Sequence, residues 1–526
     1  MSNVIRLKPT PALLIIIALL TCHTEVLLAQ GNKSEPPETT TSLKELFRSS
    51  YELYAFARNS KGIYRDKVKF EGEQDAIAST AAIGIGLISL CIADAMSWTT
   101  DAEDQVETTL KSVLGITPGI TPDTNEAGFY QHWVTMDDLQ KAEGWPVDYS
   151  TIDTAILVAG ALFAKTHFKS PGISILADQL WQSIDWSVVL ANPSTGALFL
   201  QLNEDGTGIP SLTMPYSEYL IVAWLAKLAE QNNPGAATTS WENAYANPHT
   251  LPTSDFQEFS LLTDDPPHFQ SHFTLQFAYF LSHYFSSSTG YIEFFREAAL
   301  ADMRWWQDTN STAAAYEWGL CAGEVPADGY SADAIHRNDK QIVSPHCIAG
   351  FLPVYPEAQA HLTQLLEEQE RAVFILPNTR RDTLLWRYSL VDTTSTPAYI
   401  QLIDYASMLF GLASLPEHLG PAFFTTRNNF DLNLWPKSKK PLSNVKSLRV
   451  GGEDYVLDLR DFFTDEDPDN LVFSVESRDS EIAIVQVLDH RLEMKPVNSG
   501  STTIQITAKD SLGAFAVDSL TVSVQE

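Results

Sequence analysis

Several stretches of this chain, around residues 85, 157, 222, 277 and 408, are apolar on nearly every face of a helix. Such helices must be covered on all sides, so they belong inside a large domain and not on its surface. They alternate with amphipathic segments that carry surface charge, among them 42–56, 104–114, 291–309 and 356–374. Buried helices interleaved with half-exposed ones predict two concentric helix layers. No short solenoid-type repeat is present, which favours a closed α/α toroid over an open stack.

The stretch 148–168 is the clearest of these helices. Ala155, Ile156, Ala159 and Phe163 recur at helical spacing, and Leu157, Val158, Ala161 and Leu162 fill the other faces. Yet Asp153 falls in its first turn and Asp148 lies just before it. One reading is local: Ser150 is the N-cap, and Asp153 completes a capping box while complementing the helix dipole. The other reading is chemical and rests on repetition. Glu218 opens the apolar helix 217–229, and Asp404 falls in the first turn of 401–415. Inner helices of a toroid run parallel, so their N-termini gather on one rim and first-turn carboxylates converge there.

The loops near these helices carry side chains that suit a sugar. Phe129, Tyr130, His132, Trp133 and Trp145 precede the Asp153 helix, and Trp318, Glu324, Asp328 and Tyr330 share a later loop. Aromatic faces stack on the C–H faces of pyranose rings, while carboxylates take the hydroxyls. The competing reading places Trp and Tyr between helix layers, and it is preferred for Trp305 and Trp306. His132 and His272 lack the spacing of an HExxH motif, so no metal is indicated and no cofactor is expected.

Charge narrows the ligand. With 66 Asp and Glu against 34 Lys and Arg, the 526-residue chain has a formal net charge of −32. Nucleic acid and anionic membrane surfaces are poor partners for such a chain, and a polyanionic polysaccharide is an awkward substrate. A neutral ligand fits better. The chain is expected to act as a monomer.

Residues 1–29 read as an export signal, with Arg6 and Lys8 before the apolar run 12–20, which is too short to span a bilayer. Cleavage after Ala29 gives a soluble secreted or periplasmic protein, and this is the preferred form. The alternative is lipid anchoring at Cys22, whose preceding residues are a poor match to a lipoprotein box. Residues 30–41 form a polar flexible leader. Cys91, Cys321 and Cys347 make no disulfide framework; at most one bridge can form, and Cys91 is expected as a buried free thiol.

Beyond a polar linker at 426–444 the hydrophobic period becomes two. Leu471, Phe473 and Val475, then Ile504, Ile506 and Ala508, then Leu520, Val522 and Val524 alternate with polar residues. Short alternating strands at this spacing predict a β-sandwich of about seven strands over 445–526. The acidic run 465–470 reads as a solvated turn in preference to a calcium loop, because the spaced ligands and glycine of an EF-hand are absent.

The stretches 78–93, 150–162 (STIDTAILVAGAL), 216–226, 318–330 (WGLCAGEVPADGY), 343–358 and 403–413 occur in an order that resembles the bacterial glycoamylase-like domain, including the endo-β-1,2-glucanases that carry it. The resemblance implies an (α/α)6 toroid over residues 42–425 and hydrolysis of β-glucan. Residues 445–526 resemble cadherin-like and immunoglobulin-like accessory domains, which lack catalytic groups. Two departures bear on linkage specificity more than on hydrolysis. The family's usual Asp-Gln-Gly-Pro is Asp404-Tyr405-Ala406-Ser407 here, and its Ser-Asp-Gly-Pro is Gly323-Glu324-Val325-Pro326.

The expected activity is cleavage within a neutral β-glucan, β-1,2-glucan first, with inversion implied by the resemblance. Glu218 is assigned as general acid and Asp404 as general base, with Asp153 and Asp148 orienting the substrate or exchanging roles with them. Substrate contacts are assigned to Asp148, Tyr130, His132, Trp145, Trp318, Glu324, Asp328 and Tyr330. A helix N-terminus favours the ionised carboxyl, so an acid placed there must be raised by burial or by acidic neighbours. Two other classes stay open: a glycan-binding protein without catalysis, and a polysaccharide lyase, which would want Arg and Lys near its substrate.

Overall fold

In the computed structural model of the protein the described residues are 42–145, 149–231, 234–310, 312–377, 382–430, 432–433, 436–465, 471–511 and 515–526. The export signal, the leader, Asp148 and residues 466–470 of the acidic turn lie outside them.

The helices are α1 (Leu43–Ala57), α2 (Thr80–Ala95), α3 (Ala102–Val113), α4 (Thr151–Phe168), α5 (Pro171–Gln182), α6 (Leu220–Ala229) and α7 (Ala236–Ala244). They continue as α8 (Phe273–Leu281), α9 (His283–Ser287), α10 (Thr289–Thr309), α11 (Pro345–Gly350), α12 (Ala358–Glu368), α13 (Leu402–Ala413) and α14 (Ala422–Arg427). The apolar helices touch in cyclic order: α2 packs on α4, α4 on α6, α6 on α8, α8 on α11, α11 on α13, and α13 on α2. Nearly every residue of α2, α4 and α13 is buried, as their unbroken apolar sequences require. Outside them, α1 packs on α13, α3 on α2, α5 on α4, α7 on α6 and α12 on α11.

Glycine permits the tightest contacts between these helices. A Cβ on Gly160 of α4 would lie 2.2 Å from the Gly84 carbonyl of α2, and one on Gly411 of α13 would lie 1.9 Å from the Ala349 carbonyl of α11. Any side chain at either position would push the helices apart.

Short antiparallel ladders fix the segments that enter the inner helices. Tyr399–Gln401, just before α13, pairs with Lys67–Lys69; Ile77–Ser79, just before α2, pairs with Trp133–Thr135; Tyr149–Ser150, just before α4, pairs with Gln201–Leu202. A hairpin joins Ala322–Val325 to Gly329–Ala332.

Two features differ from the sequence expectation, and a third fills in which cysteines form the one bridge it allowed. The stretch 270–285 is broken at Ser282, whose hydroxyl caps α9 by accepting from the Phe285 N–H. The inner helix α11 escapes periodicity because it has only six residues and opens on Pro345. Cys321 and Cys347 form a disulfide with Cα atoms 5.6 Å apart, leaving Cys91 as the buried free thiol.

The C-terminal segment builds two sheets. In one, strands run in the order Val445–Arg449, Phe515–Gln525, Gly500–Lys509, Val472–Ser477; in the other, Tyr455–Asp458, Arg491–Pro496, Ala483–Leu488. Alternate residues such as Ile504, Ile506, Leu520 and Val522 are buried with Leu492 and Met494 in a core separate from that of the helices. No helix among the described residues is long and apolar enough to cross a membrane.

Candidate active site

Asp153 lies in the first turn of α4, where its N–H donates to Ser150 Oγ at 3.2 Å and its Oδ2 accepts from the same hydroxyl. The local capping reading therefore describes real bonds. It does not exhaust the residue, because the same Oδ2 is 3.3 Å from Nδ1 of His132. Both side chains line a cavity of about 660 Å³ that also receives Glu218 and Asp404.

Asp404 comes from the first turn of α13 and is 3% exposed. Its Oδ1 accepts from the Tyr330 hydroxyl at 3.1 Å, while Oδ2 is buried with no hydrogen-bond partner. Burial pushes its carboxyl up to about 7; the Arg387 charge and the Tyr330 bond hold it down, and Asp66 raises it. Glu218 sits in the turn before α6 and not within the helix, which begins at Leu220. The turn is held by Ser217, whose hydroxyl accepts from the Tyr219 N–H at 3.3 Å. Burial, then the charges of Asp153 and Asp404, push the Glu218 carboxyl up to about 8. The helix-dipole preference for an ionised acid is thus outweighed by desolvation and like charge.

An aromatic wall faces these acids. The His132 ring stacks on Trp133 at 3.8 Å, Trp133 lies 4.9 Å from Trp145, and Lys67 Nζ sits 4.1 Å over the Tyr399 ring. All five line the cavity, as do Tyr330 and Gln401. Glu218 and Phe273 also border a second space of about 660 Å³, lined by Asp264, His268, Gln270 and Arg337.

Asp66 is a fourth cavity carboxylate that the sequence reading missed, together with Lys67, Tyr399 and Gln401. Its N–H donates to Ile77 O, and its carbonyl accepts from Leu402 N–H, so it bridges the entries of α2 and α13. Burial raises its carboxyl, opposed by the charges of His132 and Lys67 and by a Ser79 bond. It heads no helix and belongs to no apolar run. Pairing between distant segments, these two backbone bonds and the ladder of Lys67 with Gln401, brings it in.

Four assigned substrate contacts lie elsewhere. Tyr130 is buried, and its hydroxyl donates to Val113 O at 2.7 Å. Trp318 is 1% exposed, stacked on Phe351, with Nε1 donating to His361 Nδ1 at 2.9 Å. Glu324 turns to the backbone, accepting from the Tyr399 N–H at 2.7 Å. Asp328 is exposed at the hairpin turn, 3.5 Å from Lys340. The first three complete the core or brace a strand beside the cavity, because buried polar tips need partners. Trp305 and Trp306 are buried, as the packing reading has it.

No family model matches the chain, and no curated protein matches it. Solved structures do. An endo-β-1,2-glucanase from Chitinophaga pinensis, in complex with sophorotriose and glucose, superposes with a TM-score of 0.60 at 14% identity, covering 73% of this chain and 96% of that one. A β-1,2-glucanase from Parabacteroides distasonis gives 0.61 at 14% identity over 75% of this chain and 59% of that one. A protein from Bacteroides fragilis, provisionally assigned as a glucoamylase, gives 0.58 at 15% identity over 76% and 100%. The chain therefore has the fold of the glucoamylase-like and β-1,2-glucanase structures, a helical domain followed here by a β region.

Proposed function

We propose that the protein is an exported glycoside hydrolase that cleaves within a neutral β-glucan, most readily β-1,2-glucan, with inversion. The observation that carries this reading is the meeting of Glu218 and Asp404 in one cavity with different electrostatic surroundings. Glu218 is pushed up to about 8 and holds its proton at neutral pH. Asp404, at about 7, has a cation and a hydrogen-bond donor favouring its ionised form. These different surroundings favour Glu218 as the acid and Asp404 as the base. Glu218 gives its proton to the glycosidic oxygen as the C–O bond breaks, and Asp404 takes a proton from the water that attacks the anomeric carbon. Asp153, with His132, and Asp66 bind sugar hydroxyls, and Trp133, Trp145 and Tyr399 provide stacking faces.

Several further features favour the reading. The cyclic contacts of α2, α4, α6, α8, α11 and α13 suit the inner ring of an (α/α)6 toroid. Glu218 borders two spaces, which suits a chain bound across it and internal attack. The cavity lining has one lysine and no arginine among the described residues, short of the Arg and Lys a lyase would want. The Cys321–Cys347 bridge suits an oxidising compartment outside the cytosol. The sheets of 445–526, with their own core, act as an accessory module.

Reducing-sugar release from a panel of neutral and acidic glucans tests the assignment. Oligosaccharides from β-1,2-glucan are the expected outcome. Binding without cleavage would make the protein a glycan-binding module, and cleavage only of uronate polymers with formation of unsaturated ends would make it a lyase.

A further inference from the structure

One buried ion pair lines neither of the two spaces that border Glu218. Arg387 is fully buried, with its guanidinium paired to Asp333 and its Nη1 donating to Ser331 O at 3.2 Å. Ser331 Oγ in turn donates to Asp333 Oδ1 at 2.7 Å. Ser331 follows Tyr330 on the hairpin strand Gly329–Ala332, opposite Gly323. A Cβ on Gly323 would come within 2.8 Å of Arg387 Cδ and 3.0 Å of the Trp386 ring, so the hairpin lies directly on the arginine. Tyr330, held this way, is the residue whose hydroxyl reaches Asp404.

An isolated buried arginine is costly, and a well-packed apolar pair would serve the core at least as well. We propose that the Asp333–Arg387 pair is a positioning device for the base: it seats the Tyr330 hairpin against Asp404 and supplies the positive charge that fixes the charge state of that carboxylate. The proposal rests on the reading of Asp404 as general base. Two observations point to it beyond the contacts. Arg387 is the largest influence opposing burial at Asp404, and Asp404 in turn acts on Arg387. Arg387 Nε also has no hydrogen-bond partner, so Asp333 and the Ser331 carbonyl do not use the whole guanidinium.

The other charged and titratable groups that bear on Asp404 are Asp66 from the loop before α2, Tyr330 from the hairpin, Glu218 from the turn before α6 and Tyr54 from α1; Lys67, His132 and Asp153 share its cavity. Neither the cavity cations nor Arg387 makes an ion pair with Asp404 among the described residues; Arg387, paired with Asp333, acts on Asp404 through its charge and through the Tyr330 hairpin.

The test reads the ionisation of Asp404 directly, as the carboxyl infrared difference between each protein and the same protein carrying Asp404→Asn, titrated with pH. Arg387→Met should move the Asp404 titration up by about 1 pH unit or more, the lower end of the range for a carboxylate beside a cation. Asp333→Asn should move it down, because Arg387 then keeps its charge without a competing carboxylate. Arg387→Lys should leave the titration near its original position yet lower kcat, since an ammonium cannot hold both Asp333 and Ser331. An Asp404 titration unmoved by Arg387→Met, or moved in the same direction by Asp333→Asn, would overturn the proposal. Should Arg387→Met fail to fold, the direction of the Asp333→Asn shift decides. Wild-type turnover by Asp404→Asn itself would sink the base assignment instead, and the infrared readout separates that failure because it needs no turnover.

Discussion

The hydroxyl of Tyr330 donates to Oδ1 of Asp404 at 3.1 Å while Oδ2 of the same carboxylate is buried with no partner. One oxygen is thus fixed and the other is left for a water or a sugar hydroxyl, which is the arrangement a general base needs. Tyr330→Phe removes the fixing bond without changing the ring. Hydrogen bonds to charged groups contribute about 1.5–3 kcal/mol, so kcat/KM on the confirmed glucan should fall roughly 10-fold or more. An unchanged kcat/KM would show that the bond does not orient the base.

The pH profile follows from the two carboxyls. A base must be ionised, so activity should rise as pH passes the Asp404 value of about 7. An acid must be protonated, so activity should fall as pH passes the Glu218 value of about 8. The expected kcat/KM profile is a narrow bell with its top between these values. The same shifts carry a stability consequence of the opposite sign to ordinary acid denaturation. Both folded-state values lie above those of unfolded carboxyls, so the stability they contribute is present at low pH and is lost as pH rises through about 7 and 8. Melting temperatures of Asp404→Asn and Glu218→Gln should therefore exceed the wild type most clearly at alkaline pH.

The C-terminal sheets have a hydrophobic core separate from that of the helices, and none of their described residues lines the cavity. Cutting the chain near Ser443 should leave glucan cleavage largely intact. Lost activity in a truncated protein that remains folded by circular dichroism would mean that the module completes the site.

Much of this architecture was legible in the residues because it rests on local patterns. The all-round apolar stretches mark the inner helices α2, α4, α6, α8 and α13, and the change to period two marks the sheets. First-turn acids were legible for the same reason, and Asp153 turned out to be both an N-terminal partner of Ser150 and a cavity residue. What local pattern could not carry is contact between distant segments. Asp66 enters through pairing of Lys67 with Gln401, and the Arg387–Asp333 pair forms from two loops with no shared motif. Aromatic residues misled for a related reason. Trp145 and Trp318 are equally suited to a sugar by type, and only packing decides that the first lines the cavity and the second fills the core.

The central claim is that Glu218 and Asp404 are acid and base, and paired activity and melting measurements on Glu218→Gln and Asp404→Asn test it most directly. Each substitution keeps shape and removes ionisation. A structural role would cost about 1 kcal/mol of stability with turnover preserved. Loss of general acid or base catalysis should lower turnover on β-1,2-glucan by roughly 100-fold or more, with the protein still folded. Near-normal turnover by both variants on a confirmed substrate would contradict the account.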